Sequence, residues 1–181
     1  MKRFCTLCLI AVVWIILVSA SNGLAQDLEL PERTTPRPQT TNGVPHVQIG
    51  ITANPELSDA LLLRVEKFPG VTLGATRVSL PGAIGFQLDR GVELARPDAI
   101  VGGREFAHLH PDGSLHASLD PQLAKQAIVA GWAVEHPWAR RRRGWEGFVM
   151  IYTPSNQSEM EVVYRLVRAS FNFVTGGSFR D

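Results

Sequence analysis

Residues Arg104–Leu119, R-E-F-A-H-L-H-P-D-G-S-L-H-A-S-L, constrain the fold more than any other stretch of this chain. Pro111-Asp112-Gly113 is a turn signal: proline presets φ, aspartate bonds its own turn backbone, and glycine takes a positive φ. Both flanks alternate, so the stretch predicts a β-hairpin. On the first strand Phe106, His108 and His110 share one face, while Ala107 and Leu109 share the other. On the second, Leu115, Ala117 and Leu119 alternate with Ser114, His116 and Ser118. A three-residue loop sets His110 opposite Ser114 and His108 opposite His116, and all three imidazoles then share a face. A four-residue turn closing Pro111 on Ser114 puts His116 on the face of Leu109 instead.

Three imidazoles on a rigid strand pair can supply three metal ligands and leave a position open. His108, His110 and His116 are therefore candidate ligands for a divalent transition metal. Asp112 or Glu105 would add a carboxylate or orient an imidazole. The same face would also serve a metal-free site for a small ligand or a proton transfer, with His108, His110, His136 and Asp112 as the candidate catalytic residues. His136 belongs with them because it precedes Pro137 at a strand end, although the sequence does not bring its strand to the hairpin. The plain alternative leaves His108, His110 and His116 as half-exposed sheet residues bonded to Ser114, Ser118 and water. There is no H-E-x-x-H motif and no G-x-S-x-G elbow, so Ser114, Ser118, His116 and Asp120 make a poor hydrolase signature.

The chain opens with Lys2 and Arg3, then runs from Phe4 to Ala20 without a charge. Gly23-Leu24-Ala25 follows, with small residues where a signal peptidase reads. Residues 1–25 therefore predict a signal peptide with Gln26 as the mature start. The protein is then exported, periplasmic or secreted; without cleavage the apolar run becomes a membrane anchor. Both cysteines, Cys5 and Cys8, lie in this leader, so the mature chain has neither a disulfide nor a thiol nucleophile. The formal net charge of +1 over 181 residues supplies no bulk attraction for nucleic acid.

Residues 26–45 are rich in Pro and Thr and read as a linker. His46–Ile51 suggests a short edge strand. Asn54 and Pro55 open a helix carrying Leu57, Leu61, Val65 and Phe68 at helical spacing, stopped by Pro69-Gly70. Val71-Thr72-Leu73, Thr76-Arg77-Val78 and Ile84–Leu88 then read as strands, and Asp89-Arg90-Gly91 as a turn into a strand at Val92-Glu93-Leu94. Asp120 and Pro121 open a second helix with Leu123, Ala124, Ala127 and Ile128 on its apolar stripe, ended by Gly131. Trp132–His136 and Glu146–Tyr152 read as strands, the latter central because Phe148–Ile151 is apolar on both faces. Asn156 and Glu159, at capping-box spacing, open the last helix, with Met160, Val163, Tyr164, Val167 and Phe171 on its stripe. The tail, 175–181, is expected to fray. No internal repeat is present. The order and the short connections predict a two-layer α+β domain over residues 46–174, an antiparallel sheet with about three helices packed on it.

Arg104–Gly113 resembles the signature of the small luciferase-domain family of bacterial and fungal proteins. The segment Gly131–Pro137, the strand Gly147–Tyr152 and the last helix through Ser170-Phe171 follow in that family's order, so the resemblance spans roughly Leu57–Phe171. The chain departs from it at Pro111, where relatives often carry Gly, and adds the leader and the arginine loop. The family name implies light emission. The chain itself shows no strand-linked G-x-G-x-x-G for a flavin and is too short for a barrel enzyme. A cofactor is not identified beyond the metal that the histidines would hold.

Between Trp138 and Trp145 lie Arg140, Arg141, Arg142 and Arg143. Four cations flanked by tryptophans would suit an anionic membrane surface; a charge run of this kind also serves simply as a solvated loop. Three classes follow: a small enzyme or ligand-binding domain using the histidine face, a non-enzymatic envelope interaction module docking through the Arg/Trp loop, or an exported structural domain.

Overall fold

The computed structural model describes residues 28–180; the predicted leader and its two cysteines lie outside the described residues. Ten elements follow in order. They are α1 (Pro55–Val65), β1 (Val71–Ala75), β2 (Ile84–Leu88), a short 3-10 turn (Pro97–Ala99), β3 (Glu105–Leu109), β4 (Leu115–Ser118), α2 (Pro121–Val129), β5 (Ala133–Glu135), β6 (Phe148–Ile151) and α3 (Gln157–Thr175). The six strands form one antiparallel sheet in the order β1-β2-β3-β4-β6-β5. With three helices, this is the two-layer α+β architecture that the sequence predicts. Among the described residues no helix is long and apolar enough to cross a membrane.

The helix starts follow from local chemistry. The Asn54 side chain accepts from the Glu56 N–H, Asp120 from Gln122 and Leu123, and Asn156 from Glu159. Each satisfies amide donors that the first turn leaves without an intrahelical partner. Glu159 returns a bond to the Ser155 N–H rather than to the cap residue itself.

The layers assemble around α3. It lies against β3 and β4, with α1 against α3 and α2 against β5. Met160, Val163, Tyr164, Val167 and Phe171 are buried, as its spacing requires. They meet Ala107, Leu109, Leu115, Ala117, Leu119, Val149 and Ile151 on one face of the sheet. Phe171 fits among Phe68, Phe106 and Phe179 with ring centroids 5.1, 5.8 and 6.0 Å away.

Several expected elements take a different form. Thr76-Arg77-Val78 is not a strand. Its donors go to a side chain instead: the Thr76 hydroxyl and the Arg77 N–H both bond Glu105. Val92-Glu93-Leu94 is not a strand either, because the Val92 carbonyl accepts from the Arg104 guanidinium. His46–Ile51 does not join the sheet; the Thr41 N–H donates to the Val47 carbonyl and the Ile49 N–H to the Gln39 carbonyl, making a small separate ribbon.

Residues 28–45, expected as a free linker, lie along the domain. Arg33 is buried in an ion pair with Glu159 at 3.1 Å, its N–H bonds the Ala130 carbonyl, and the Trp132 indole donates to the Pro31 carbonyl. Further on, Gln48 bonds Thr153 and Asp112. The segment is thus a strap across the sheet. The tail is held as well: Phe179 exchanges two hydrogen bonds with the Asn172 side chain and packs against Phe68 at 5.0 Å.

Candidate functional site

The hairpin takes the three-residue loop. His108 pairs with His116 and Leu109 with Leu115, and the His110 N–H bonds the Ser114 carbonyl. Gly113 has φ +83°, the conformation for which the turn needs glycine. His108, His110 and His116 therefore share the sheet face that points away from the helices.

A β-bulge corrects the other half of the expected pattern. β2 and β3 pair Phe86 with Ala107 but Gln87 with Glu105, so Phe106 is the extra residue. Facing flips across such a residue. Phe106 turns into the helix-side core, 6.0 Å from Phe86, instead of sharing the histidine face. Glu105 takes its place beside His108, with Oε1 2.8 Å from His108 Nδ1. The absence of a side chain at Gly85 makes room: a Cβ there would sit 2.6 Å from Glu105 Oε2. Gln87 also donates to that oxygen, at 2.6 Å. Burial by itself would raise the Glu105 pKa, but bonds from His108, Thr76 and the Arg77 N–H together hold it below the usual carboxylate value.

Asp112 does for His110 what Glu105 does for His108, through one intermediate. The Ser114 hydroxyl donates to Asp112 Oδ1 at 2.7 Å and so accepts from His110 Nδ1–H at 3.0 Å. His110 Nε2 then carries a lone pair, and this buried atom has no hydrogen-bond partner. Asp112 also accepts from the Gln48 N–H, which ties the turn to the strap.

The remaining two histidines complete the cluster. His136 follows β5 and reaches His116, with ring centroids 4.5 Å apart. Its Nδ1 accepts the Trp138 N–H at 3.0 Å. His46, on the strap, stacks 5.3 Å from His116, with its Nδ1 3.2 Å from His116 Nε2. His46 was not evident as a site residue from sequence, because it opens what reads as a short edge strand beside the linker, far in sequence from the hairpin. The available signal was the adjoining alternation of Val47 and Ile49 with polar residues.

All five histidines are buried, which replaces the half-exposed reading of the hairpin imidazoles. Ser118 does not serve them, since its hydroxyl donates to the Ala99 carbonyl. Burial, then the mutual repulsion of neighbouring imidazolium charges, pushes the His110 pKa down to about 4 and the His136 pKa down to about 3. His116 is lowered well below its ordinary value for the same reasons, and His46 is lowered by burial. At neutral pH these four rings are uncharged and offer lone pairs.

The rings line a cavity of about 160 Å³ whose other walls include Val78, Leu80, Val101, Trp138 and Phe148. A second hollow of about 230 Å³ shares His46 and His136 and reaches Arg140. Arg140, Arg141, Arg142 and Arg143 are all exposed, and Arg140 pairs with Glu135 at 3.1 Å. The tryptophans are not presented outward with them. Trp138 and Trp145 stack on each other 6.3 Å apart, each partly buried and each with a guanidinium over its ring. The arrangement can accept protons in hydrogen bonds, hold a metal ion by lone pairs, or enclose a small apolar molecule.

A family model described as "Luciferase domain" matches residues 103–170, a narrower span than the resemblance suggests. It takes in Glu105, Asp112, the arginine loop and every histidine of the cluster except His46. A protein named "Luciferase" from Armillaria mellea is 28% identical over 168 residues, covering 81% of this chain and 62% of that protein. Proteins of the same name from Armillaria ostoyae and Neonothopanus nambi are each 36% identical over 78 residues, 40% of this chain. Those stretches are 29% and 28% of the two fungal proteins, so the chain spans under two thirds of each of these relatives. No solved structure matches the chain. The hairpin, the last two strands and most of α3 thus lie in the stretch that is similar to the luciferase-domain family.

Proposed function

We propose that this domain is a small-ligand enzyme or binding protein whose working site is the histidine-lined cavity. The observation that carries the reading is the convergence of five buried imidazoles on one cavity, with His110 Nε2 unpartnered inside it. A buried acceptor without a partner costs free energy until a donor reaches it. The fitting ligand is therefore a small, mostly apolar molecule carrying an O–H or N–H donor. Apolar walls would bury its body, and His110 would orient the donor. The name shared by the fungal relatives favours an enzyme, while light emission by this chain has no support in its residues.

Phenol and toluene form the test pair, being alike in shape but differing in the donor. The chelator-treated chain should bind phenol more tightly than toluene, and Val101→Trp, which fills the cavity, should abolish both. Equal binding of the two probes, or phenol binding unchanged in Val101→Trp, would remove the reading.

A second reading rests on the exposure of Arg140, Arg141, Arg142 and Arg143. They would dock the domain on an anionic membrane surface. Changing all four to Ser should leave the unfolding midpoint nearly unchanged, because exposed charges contribute little. It should also remove binding to phosphatidylserine vesicles at low salt; equal binding by both proteins defeats this reading. Export is inferred from residues 1–25, and the intact mass of chain recovered from an exporting host should begin at Gln26. A chain retaining Met1 in the membrane fraction would make the leader an anchor.

A further inference from the structure

We infer that His108, His110 and His116 form a centre for a divalent transition metal ion of the zinc and cobalt type, with one coordination position open to the cavity. The inference rests on the reading of the histidine face as the working site and specifies how that face is built. Two overlapping groups bring ligand nitrogens within 4.8 Å of one another: His108, His110 and His116, and His46, His116 and His136. The hydrogen bonds decide between them. Glu105 takes the His108 Nδ1–H at 2.8 Å and Ser114, itself held by Asp112, takes the His110 Nδ1–H at 3.0 Å. Each bond leaves an Nε2 lone pair directed at the site, as carboxylate-backed metal histidines require. His136 is set the other way. Its Nδ1 accepts the Trp138 N–H, so the neutral ring carries its proton on Nε2 and has no lone pair left to give.

The spacing also suits an ion. Zinc–nitrogen bonds of about 2.0–2.1 Å at a tetrahedral angle place two ligand nitrogens about 3.3 Å apart. His108 Nε2 and His116 Nδ1 are 3.0 Å apart, joined by one shared proton. A metal would replace that proton. His116 would then carry its proton on Nε2, facing His46 Nδ1, and His46 would carry its own on Nε2, so the rings stay neutral overall. Three neutral imidazoles suit zinc, cobalt, nickel or copper better than calcium or magnesium. The Glu105 carboxylate, one hydrogen bond behind His108, and the Asp112 carboxylate, two behind His110 through Ser114, offset the charge of the ion.

Cobalt(II) titrated into the chelator-stripped full chain tests the centre, with visible absorption reporting coordination and elemental analysis the stoichiometry. One Co(II) per chain is expected, with affinity lost in His110→Ala, about 10–100-fold weaker in Glu105→Gln, and retained in His136→Ala. Circular dichroism checks that each variant is folded. Should His110→Ala not fold, Ser114→Ala, which keeps the imidazole but frees its Nδ1–H, should weaken binding instead. No uptake by the folded wild type overturns the centre, as does uptake unchanged in His110→Ala or in its substitute. Uptake lost in His136→Ala but kept in His110→Ala overturns it in favour of the other group. Phenol binding is scored separately on the metal-free chain: failure of cobalt uptake with phenol bound removes the metal alone, whereas cobalt uptake without phenol binding removes the ligand cavity and leaves the centre standing.

Discussion

At the scale of single residues, one flipped side chain organises the site. Glu105 sits one position out of phase with His108 in the sequence and reaches it only because Phe106 bulges. The run Glu105-Phe106-Ala107-His108-Leu109 does not reveal this, since an alternating pattern reads the same until the partner strand slips. The Pro111-Asp112-Gly113 turn was legible because each residue has its own local reason to be there, and it fixed three imidazoles on one face. The buried histidines also make stability depend on pH. His110 and His136 hold pKa values lowered to about 4 and about 3, while an unfolded chain titrates its histidines near the ordinary 6.5. Between these limits the unfolded chain takes up protons that the folded one refuses, so stability rises with pH. It is complete above about 6.5 and lost progressively as pH falls toward 4 and then 3. The groups facing these two rings are His46, His108, His116, Asp112 and Arg141. In the chelator-treated protein each of the two rings should cost about 2 kcal/mol between pH 7 and pH 5. Urea midpoints measure this, and a flat profile over that range would mean that the rings are not held neutral.

At the scale of elements, caps and apolar spacing made all three helices readable, because those signals are local. The failures were the segments whose partners are distant in sequence. Thr76–Val78 is bent by a carboxylate 28 residues away at Arg77, and the strap is held by Arg33 on Glu159 and Gln48 on Thr153. No period in the sequence announces such bonds, and so His46 was hidden with the strap. The helix layer depends on α3. Phe171 is 4% exposed and touches three other rings. Phe171→Ala should cost roughly 3–5 kcal/mol, the range for truncating a buried aromatic. Chemical denaturation reads this directly, and a loss below about 1 kcal/mol, typical of surface changes, would show that α3 does not cover the sheet.

At the scale of the whole molecule, the sheet separates two jobs. One face carries the apolar core under the helices, and the other carries imidazoles under the strap and the loops. The family match begins at 103, so it includes the hairpin but not the strap that closes over it. The cavity is therefore built jointly by the matched stretch and by residues 44–46, 78–80 and Val101 outside it. The tautomers of His110 and His136 and the response of His110 to a ligand decide whether this cavity is the working site. Long-range nitrogen–proton correlation spectra of the metal-free chain at pH 7 should show His110 protonated at Nδ1 alone and His136 at Nε2 alone. Phenol should then shift the His110 Nε2 resonance more than any other ring nitrogen. A His110 ring protonated at Nε2, or one that phenol leaves unmoved, would contradict a working site in this cavity.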